Sequence, residues 1–278
     1  MSEAVEAIEE EDDGWEELYG LNDQLVSDVE EACEEEKAPE ELQALIDPLH
    51  VADLADLLEQ LSSSAREYVI GNVGENFDAE LWVHLDESVR EDIVDELDTE
   101  QLVEIVNELD SDDAIDLIED LDEAEQRELL DAVPADDRVL YEQSLSYPED
   151  SAGRLMQREV VTVPSFWSVG QTIDYMRDET NELPDDFYNL VVIDPTHCPV
   201  GIVKLSKLLR TSRDNAVTDL MWEDVKVIPV SMDQEDVAFL FRHYGLVEAP
   251  VVDDNGRLLG VITVDDIVDE LDTEQLVE

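Results

Sequence analysis

The chain has 278 residues, of which 77 are Asp or Glu and only 15 are Lys or Arg, for a formal charge of −62. Hydrophobic residues make up 43%, enough to build packed cores, so a wholly disordered acidic chain is excluded. The charge repels phosphate backbones, which excludes nucleic acid as a partner of this surface.

The length allows about two domains. No run reaches the ~20 apolar residues of a membrane helix. The first residues, Met1-Ser2-Glu3-Ala4-Val5-Glu6, lack the basic and apolar regions of a signal peptide. A soluble cytoplasmic protein is the expectation. Most of the acidity is read as adaptation to a salt-rich cytoplasm, where repulsion is screened within a few ångströms. The scarcity of lysine (Lys37, Lys204, Lys207 and Lys226) agrees. A second reading, in which some carboxylates collect divalent cations, has to be argued from position. Cys33 and Cys198 form no metal-ligand spacing, and His50, His84, His197 and His243 are scattered, so a disulfide framework and a zinc enzyme lack support.

Residues 1–38 are acidic almost throughout, with Trp15, Leu18, Tyr19 and Leu21 as sparse apolar anchors. They read as a solvated arm with at most one weakly docked helix. Residues 39–147 read as a short-helix superhelix. Leu-Asp pairs recur at Leu85-Asp86, Leu97-Asp98, Leu109-Asp110 and Leu121-Asp122, a period of 12. Within one unit Leu102, Ile105, Val106 and Leu109 fall at i, i+3, i+4, i+7, and Ala114, Leu117, Ile118 and Leu121 repeat the spacing. Each Asp of the pair sits at an N-cap position, where its carboxylate can accept from exposed helix amides. Helices this short cannot hide an apolar stripe alone, so successive units must stack. Val51 to Leu58 reads as one more helix of the array.

After Ser146-Tyr147-Pro148 the pattern becomes strand–helix–strand–strand–helix, twice, giving an α plus α/β chain. The first copy has strands at Val160–Val163, Leu190–Ile193 and Val200–Val203. Its helices are 168–178, with Val169, Ile173 and Met176 on one face, and a short one near Ser206–Arg210. The second has strands at Val225–Val230, Val247–Val252 and Leu258–Thr263. Its first helix carries Val237, Leu240, Phe241 and Tyr244 on one face, and its last starts at Thr263. Asp253-Asp254-Asn255-Gly256 is a hairpin signal. Boundaries of 148–212 and 213–271 are expected for the two copies, with 272–278 a helix end or tail.

This repeated pattern resembles a tandem pair of CBS domains, a regulatory module that binds adenosyl ligands or ions. The chain from about 40 to 271 resembles the cytosolic part of the MgtE family of magnesium channels and transporters. The resemblance is carried by Ser146-Tyr147-Pro148-Glu149-Asp150-Ser151-Ala152-Gly153-Arg154-Leu155-Met156, by Asp233-Gln234-Glu235-Asp236-Val237, and by Pro250 through Gly260 to Thr263-Val264-Asp265-Asp266. It implies a non-enzymatic magnesium sensor. In that family Mg2+ between the helical and CBS domains holds a compact form that closes a membrane pore. It further implies a homodimer through the CBS domains and a pore partner that would keep the protein at the inner face of the cell membrane.

Mg2+ takes six oxygens and keeps several waters, so one or two carboxylates from each side suffice. Asp112 and Asp116, four apart on one helix, match the family's acidic pair; the plain alternative is a solvated face beside an N-cap. Asp266 and Asp269 match its ion-binding positions in the last helix. Asp233 and Glu235 open a helix where Asp233 reads equally as the N-cap; the resemblance adds a ligand role for Asp233 with the carbonyl of Gly153. Where the family tends to have acids, this chain has Arg242-His243-Tyr244-Gly245. ATP or AMP is the alternative ligand. The ribose-binding Ser/Thr-x-x-Asp pattern stands as Thr263 and Asp266 in the second copy, whereas the first has Ser206, Lys207, Leu208 and Leu209.

The family continues into a membrane pore, so a pore encoded separately, or lost, is expected here. Residues 266–278 repeat residues 92–104 identically over 13 positions, which leaves recombination or the end of a split gene as explanations. No phosphate-cradling glycine loop, nucleophile elbow or acid–base pair points to catalysis.

Overall fold

The computed structural model describes residues 21–267 apart from 36, 74–77, 95–96, 179, 182 and 185–186. The expectations for Trp15, Leu18, Tyr19, Asp269 and the tail lie outside the described residues. The chain divides into two units. One holds residues up to Leu109 together with Asp116–Pro134; the other holds Asp110–Ile115 together with Ala135 onward.

The first unit is helical. Its helices are α1 (Asp23–Glu34), α2 (Pro39–Ile46), α3 (Val51–Gln60), α4 (Ser63–Val73), a 3-10 turn at Ala79–His84, α5 (Glu87–Val94), α6 (Thr99–Glu108) and α8 (Glu123–Ala132), with the second half of α7 (Ser111–Asp120), whose first half belongs to the other unit. The twelve-residue period appears as helices starting at 87, 99, 111 and 123. Asp98 and Asp122 cap α6 and α8, each completed by the return bond of a capping box from Gln101 and Glu125. Leu102, Val106, Leu117, Ile118 and Leu121 are buried as the spacing predicts.

Within the acidic arm, the one docked helix that the sequence allows stands as α1. Val29, Ala32 and Cys33, at i, i+3, i+4, are buried, and the Cys33 thiol donates to the carbonyl of Ala65. Three small apolar residues inside an acidic run are enough to dock a helix. Burial, with nearby Glu30, pushes that thiol's pKa up, so it packs as a small hydrophobe.

Scarce cations are used inside this unit. Arg66 Nε donates to Leu58 O at 2.9 Å, its NH2 reaches Leu61 O, and its NH1 meets Asp92 Oδ2 at 2.6 Å. It thus satisfies carbonyls at the end of α3 while tying α4 to α5. Arg90 pairs with Asp120, linking α5 to α7. Arg66→Ala strands buried carbonyls and is expected to cost about 2–3 kcal/mol, read as a lowered midpoint of the helical unit's thermal transition in concentrated KCl.

The second unit contains α9 (Ala135–Leu145) and two copies of a three-stranded mixed sheet. The first runs β1 (Thr162–Pro164), α10 (Val169–Met176), β2 (Asn189–Ile193), β3 (Pro199–Lys204) and α11 (Leu205–Leu208). The second runs β4 (Ile228–Pro229), α12 (Gln234–Tyr244), β5 (Glu248–Val252) and β6 (Leu258–Thr263). In both, the first strand lies parallel to the second and the third returns antiparallel, with the same register irregularity near the second strand's end. The chain crosses between the copies. Ala152 and Met156 complete the core built on β4–β6, while Val217 and Leu220, which lead into the second copy, complete the first core. Backbone bridges Gln157↔Val261 and Ile202↔Trp222 mark the two crossings.

Two expectations are corrected here. Tyr244, predicted on the buried face of α12, is 51% exposed, and Ala238 is buried in that helix instead. The face ends because Gly245, at φ 61°, turns the chain out of the helix one residue later. The first strand of each copy is shorter than expected, because β1 pairs with β2 over only three residues and β4 with β5 over only two.

Candidate functional site

Asp112 lies in the first turn of α7 and is 7% exposed. Asp116, one turn on, is exposed. Burial lifts the Asp112 carboxyl well above the ordinary carboxylate range, and the negative charge of Asp266 lifts it further. A hydrogen bond from the Asp113 amide to Asp112 Oδ1, at 3.1 Å, opposes the shift without cancelling it. So two of the predicted ligands lie near enough for their charges to repel, and one of them is sealed from water.

Asp266 is half-buried at the start of the helix that follows β6. Its Oδ2 accepts from the Thr263 amide at 2.9 Å and from Thr263 Oγ1 at 3.0 Å, so the predicted Thr-x-x-Asp pair is physically coupled. A single carboxylate oriented this way can accept from ribose hydroxyls or present oxygen to a cation.

Gly153 and Asp233 also come close. Ser151 and Asp233 form a backbone bridge, and Ala152 N and Gly153 N donate to Met232 O and Val230 O. Only glycine fits at 153, because a Cβ there would stand 2.5 Å from the Tyr147 ring. Asp233 caps α12 by accepting from Glu235 N at 3.0 Å, the plainer of its two predicted roles. Asp233 and Glu235 are both exposed.

The strand registers revise the comparison of the two ribose motifs. Lys204 pairs with Asn189 as Thr263 pairs with Glu248, and Gly201 pairs with Val192 as Gly260 pairs with Val251. The counterparts of Thr263 and Asp266 are therefore Lys204 and Lys207, two residues earlier than the Ser206 to Leu209 alignment. Lys207 Nζ donates to Leu220 O at 2.7 Å. At these two positions the first copy carries lysines where the second carries a hydroxyl and a carboxylate. The two copies also meet directly, where Asn189 Nδ2 donates to Glu248 Oε2 at 3.2 Å; burial pushes the Glu248 carboxyl up, and this hydrogen bond pulls partly against it.

Sequence reasoning missed Glu159, whose Oε2 accepts from Ser111 N and Ser111 Oγ, directly beside Asp112. No motif marks it, since it is one acid among 77.

The MgtE intracellular N domain profile matches residues 49–150, and the CBS domain profile matches 152–214 and 217–273. The chain is homologous to the cytosolic part of MgtE. A crystal structure of the cytosolic domain of the Mg2+ channel MgtE in complex with ATP superposes with a TM-score of 0.78 at 29% identity, covering 88% of this chain and 99% of that one. The soluble part of a magnesium transporter shares the fold with a TM-score of 0.75 at 24% identity, covering 90% and 98%. The magnesium transporter MgtE of Enterococcus faecalis is 32% identical over 130 residues, which is 47% of this chain and 28% of the transporter. That of Thermus thermophilus is 32% identical over 148 residues, 53% and 33%. The chain spans about a third of the length of these MgtE transporters. Among the described residues no helix is long and apolar enough to cross a membrane.

Proposed function

We propose that this chain is the magnesium-sensing regulatory part of an MgtE-type transporter, non-enzymatic, working at the inner face of the membrane as a homodimer through its CBS domains. In this reading Asp112 and Asp266 are the carboxylates whose mutual repulsion reports an absence of divalent cation. Asp116, Asp269, Asp233, Glu235 and the carbonyl of Gly153 are further ligand positions. Compactness favours the closed pore.

The observation that carries the reading is the buried Asp112 carboxylate near Asp266. Like charges in a partly dry site are unfavourable unless a cation joins them or one carboxyl takes a proton. All the donors are oxygens, which suits a hard cation, and among the described residues no group of three or more His, Cys, Asp or Glu could cage a metal. In this reading two carboxylates suffice, because Mg2+ keeps several of its waters. A bound Mg2+ supplies the positive charge that makes the two carboxylates mutually attractive through it. Asp112 is held in place by α7 and by the Asp113 amide; Asp266 is held by Thr263.

The test is small-angle scattering and limited proteolysis of the purified chain in concentrated KCl. Millimolar Mg2+ is expected to shrink the radius of gyration and slow cleavage. Superimposable curves with and without Mg2+ would overturn the proposal.

The Thr263–Asp266 pair, together with the ATP bound by the similar MgtE cytosolic domain, favours a second ligand. ATP or AMP is expected to bind once per chain, in the second copy, and Asp266→Asn is expected to weaken it about tenfold, a loss on the order of one charge-assisted hydrogen bond. Calorimetry in high salt reads this directly, and binding unaffected by the substitution would exclude this pocket.

A further inference from the structure

Three hydrogen bonds join α7 to a segment far along the chain. Glu159 Oε2 accepts from Ser111 N at 3.2 Å and from Ser111 Oγ at 2.8 Å, and Ser111 Oγ accepts from Arg158 N at 2.7 Å. Arg158 N also lies 2.9 Å from Glu159 Oε2. Ser111 is 8% exposed, so these bonds are shielded from water. Where α6 and α8 take their caps from the preceding Asp, the first amide of α7 is bound by a carboxylate 48 residues away.

That carboxylate is rigidly placed. Gln157, two residues before it, exchanges both backbone hydrogen bonds with Val261 at 2.9 Å. The Arg158 side chain reaches Leu259 O and Ser144 Oγ, each at 3.3 Å. Glu159 is thereby fixed to β6 on one side and to α9 on the other, and β6 leads straight into Thr263 and Asp266.

We propose that Glu159 and Ser111 form a latch that needs no metal, positioning the Asp112 carboxylate near Asp266 and setting the cation concentration at which the compact state forms. This rests on the magnesium-sensing reading above and adds two positioning residues to it. Attraction at Ser111 opposes the repulsion one residue later at Asp112. The balance leaves the protein poised, so that an ion of modest affinity can tip it. When only a fraction of molecules is competent to bind, the apparent dissociation constant rises by the inverse of that fraction. Removing the latch lowers the fraction.

The experiment compares wild type, Glu159→Ala, Glu159→Gln and Ser111→Ala in concentrated KCl. One readout is the Mg2+ midpoint for protection from protease. The other is hydrogen exchange of the 111–115 amides in EDTA, with strands 190–193 and 249–252 as internal controls. Glu159→Ala and Ser111→Ala are expected to raise the Mg2+ midpoint about tenfold and to speed exchange at 111–115 without metal, leaving the strands unchanged. Glu159→Gln keeps an acceptor oxygen and is expected to fall between Glu159→Ala and wild type on both. Unchanged midpoint and unchanged exchange in Glu159→Ala would overturn the latch while leaving the magnesium reading intact. A wild type that never responds to Mg2+ would overturn the magnesium reading and the threshold role together. In that event, faster exchange in Glu159→Ala would reduce the latch to a structural contact.

Discussion

Asp112→Asn is expected to give, in EDTA, the protease resistance and scattering profile that the wild type reaches only with Mg2+, and to lower the remaining Mg2+ response at least about tenfold. Asparagine has nearly the shape of aspartate and keeps an oxygen for the Asp113 amide, which Asp112 accepts at 3.1 Å. What it removes is a buried negative charge near another. Leaving a buried polar group uncompensated costs on the order of 1–3 kcal/mol, more when it is charged, and ~1.4 kcal/mol is tenfold in an equilibrium. Asp116, a further ligand position but an exposed one, is expected to contribute less, its Asn variant shifting the Mg2+ midpoint less than about threefold. An Asp112→Asn protein that stays as open as wild type in EDTA, yet still compacts with Mg2+, would remove Asp112 from the sensor.

The same carboxyl predicts a pH dependence with a definite sign. Its folded pKa is raised, by burial first and by Asp266 second. A raised carboxyl pKa means that the folded form prefers the protonated state, so the contribution is fully present below the ordinary Asp value of about 4. It is lost as pH rises through the elevated folded value. In EDTA, protection of the 111–115 amides is therefore expected to be greatest in acid and to fall as pH climbs above that ordinary value, whereas Asp112→Asn shows no such fall. Saturating Mg2+ favours the ionised carboxylate and is expected to flatten the wild-type curve. Hydrogen exchange at matched intrinsic rates distinguishes the three profiles.

Much of the fold was legible because its local rules are strong. The twelve-residue spacing of Leu-Asp pairs gave both the buried stripes of α6 and α7 and the caps Asp98 and Asp122. The hairpin at Asp253 to Gly256 appears as expected, with Gly256 at φ 76° and Asp253 Oδ1 accepting from Asn255 N and Arg257 N. The sequence allows a docked helix in the acidic arm without placing it, because the stripe of Val29, Ala32 and Cys33 is too small to stand out among acids. The misses came where tertiary context decided. Tyr244 continues a helical spacing beyond the point where a core lies beneath it. The site was legible only in part, because burial separates Asp112 from Asp116 although the two share a helix and a residue type. Glu159 was invisible, since its partner Ser111 is distant in sequence and neither residue belongs to a motif. The lysines at 204 and 207 needed strand register to be placed opposite Thr263 and Asp266.

Gly260→Ala is expected to cost at least about 3 kcal/mol in the stability of the CBS pair, at the upper end for an overpacked core, and to raise the Mg2+ midpoint as well. A Cβ at 260 would stand 2.3 Å from the carbonyl oxygen of Gln157 and 3.4 Å from the sulfur of Met156. The obstacle is backbone, held by both Gln157–Val261 hydrogen bonds, so relief requires the crossing segment to move. The equivalent substitution in the first copy meets a different neighbour. A Cβ at Gly201 would press on the Met221 side chain, whose sulfur lies 2.5 Å away. A change of rotamer moves the sulfur and Cγ, whereas the Met221 Cβ, 2.8 Å away, moves only with its backbone, so Gly201→Ala is expected to cost about 2 kcal/mol. Displacement at Gln157 propagates because Met156 belongs to the second core while Arg158 and Glu159 hold Ser111. Thermal unfolding should thus rank Gly260→Ala below Gly201→Ala, and only the former should share the Mg2+ phenotype of Glu159→Ala. Equal Mg2+ midpoints in the two glycine variants would show that the crossing strand does not transmit strain to α7.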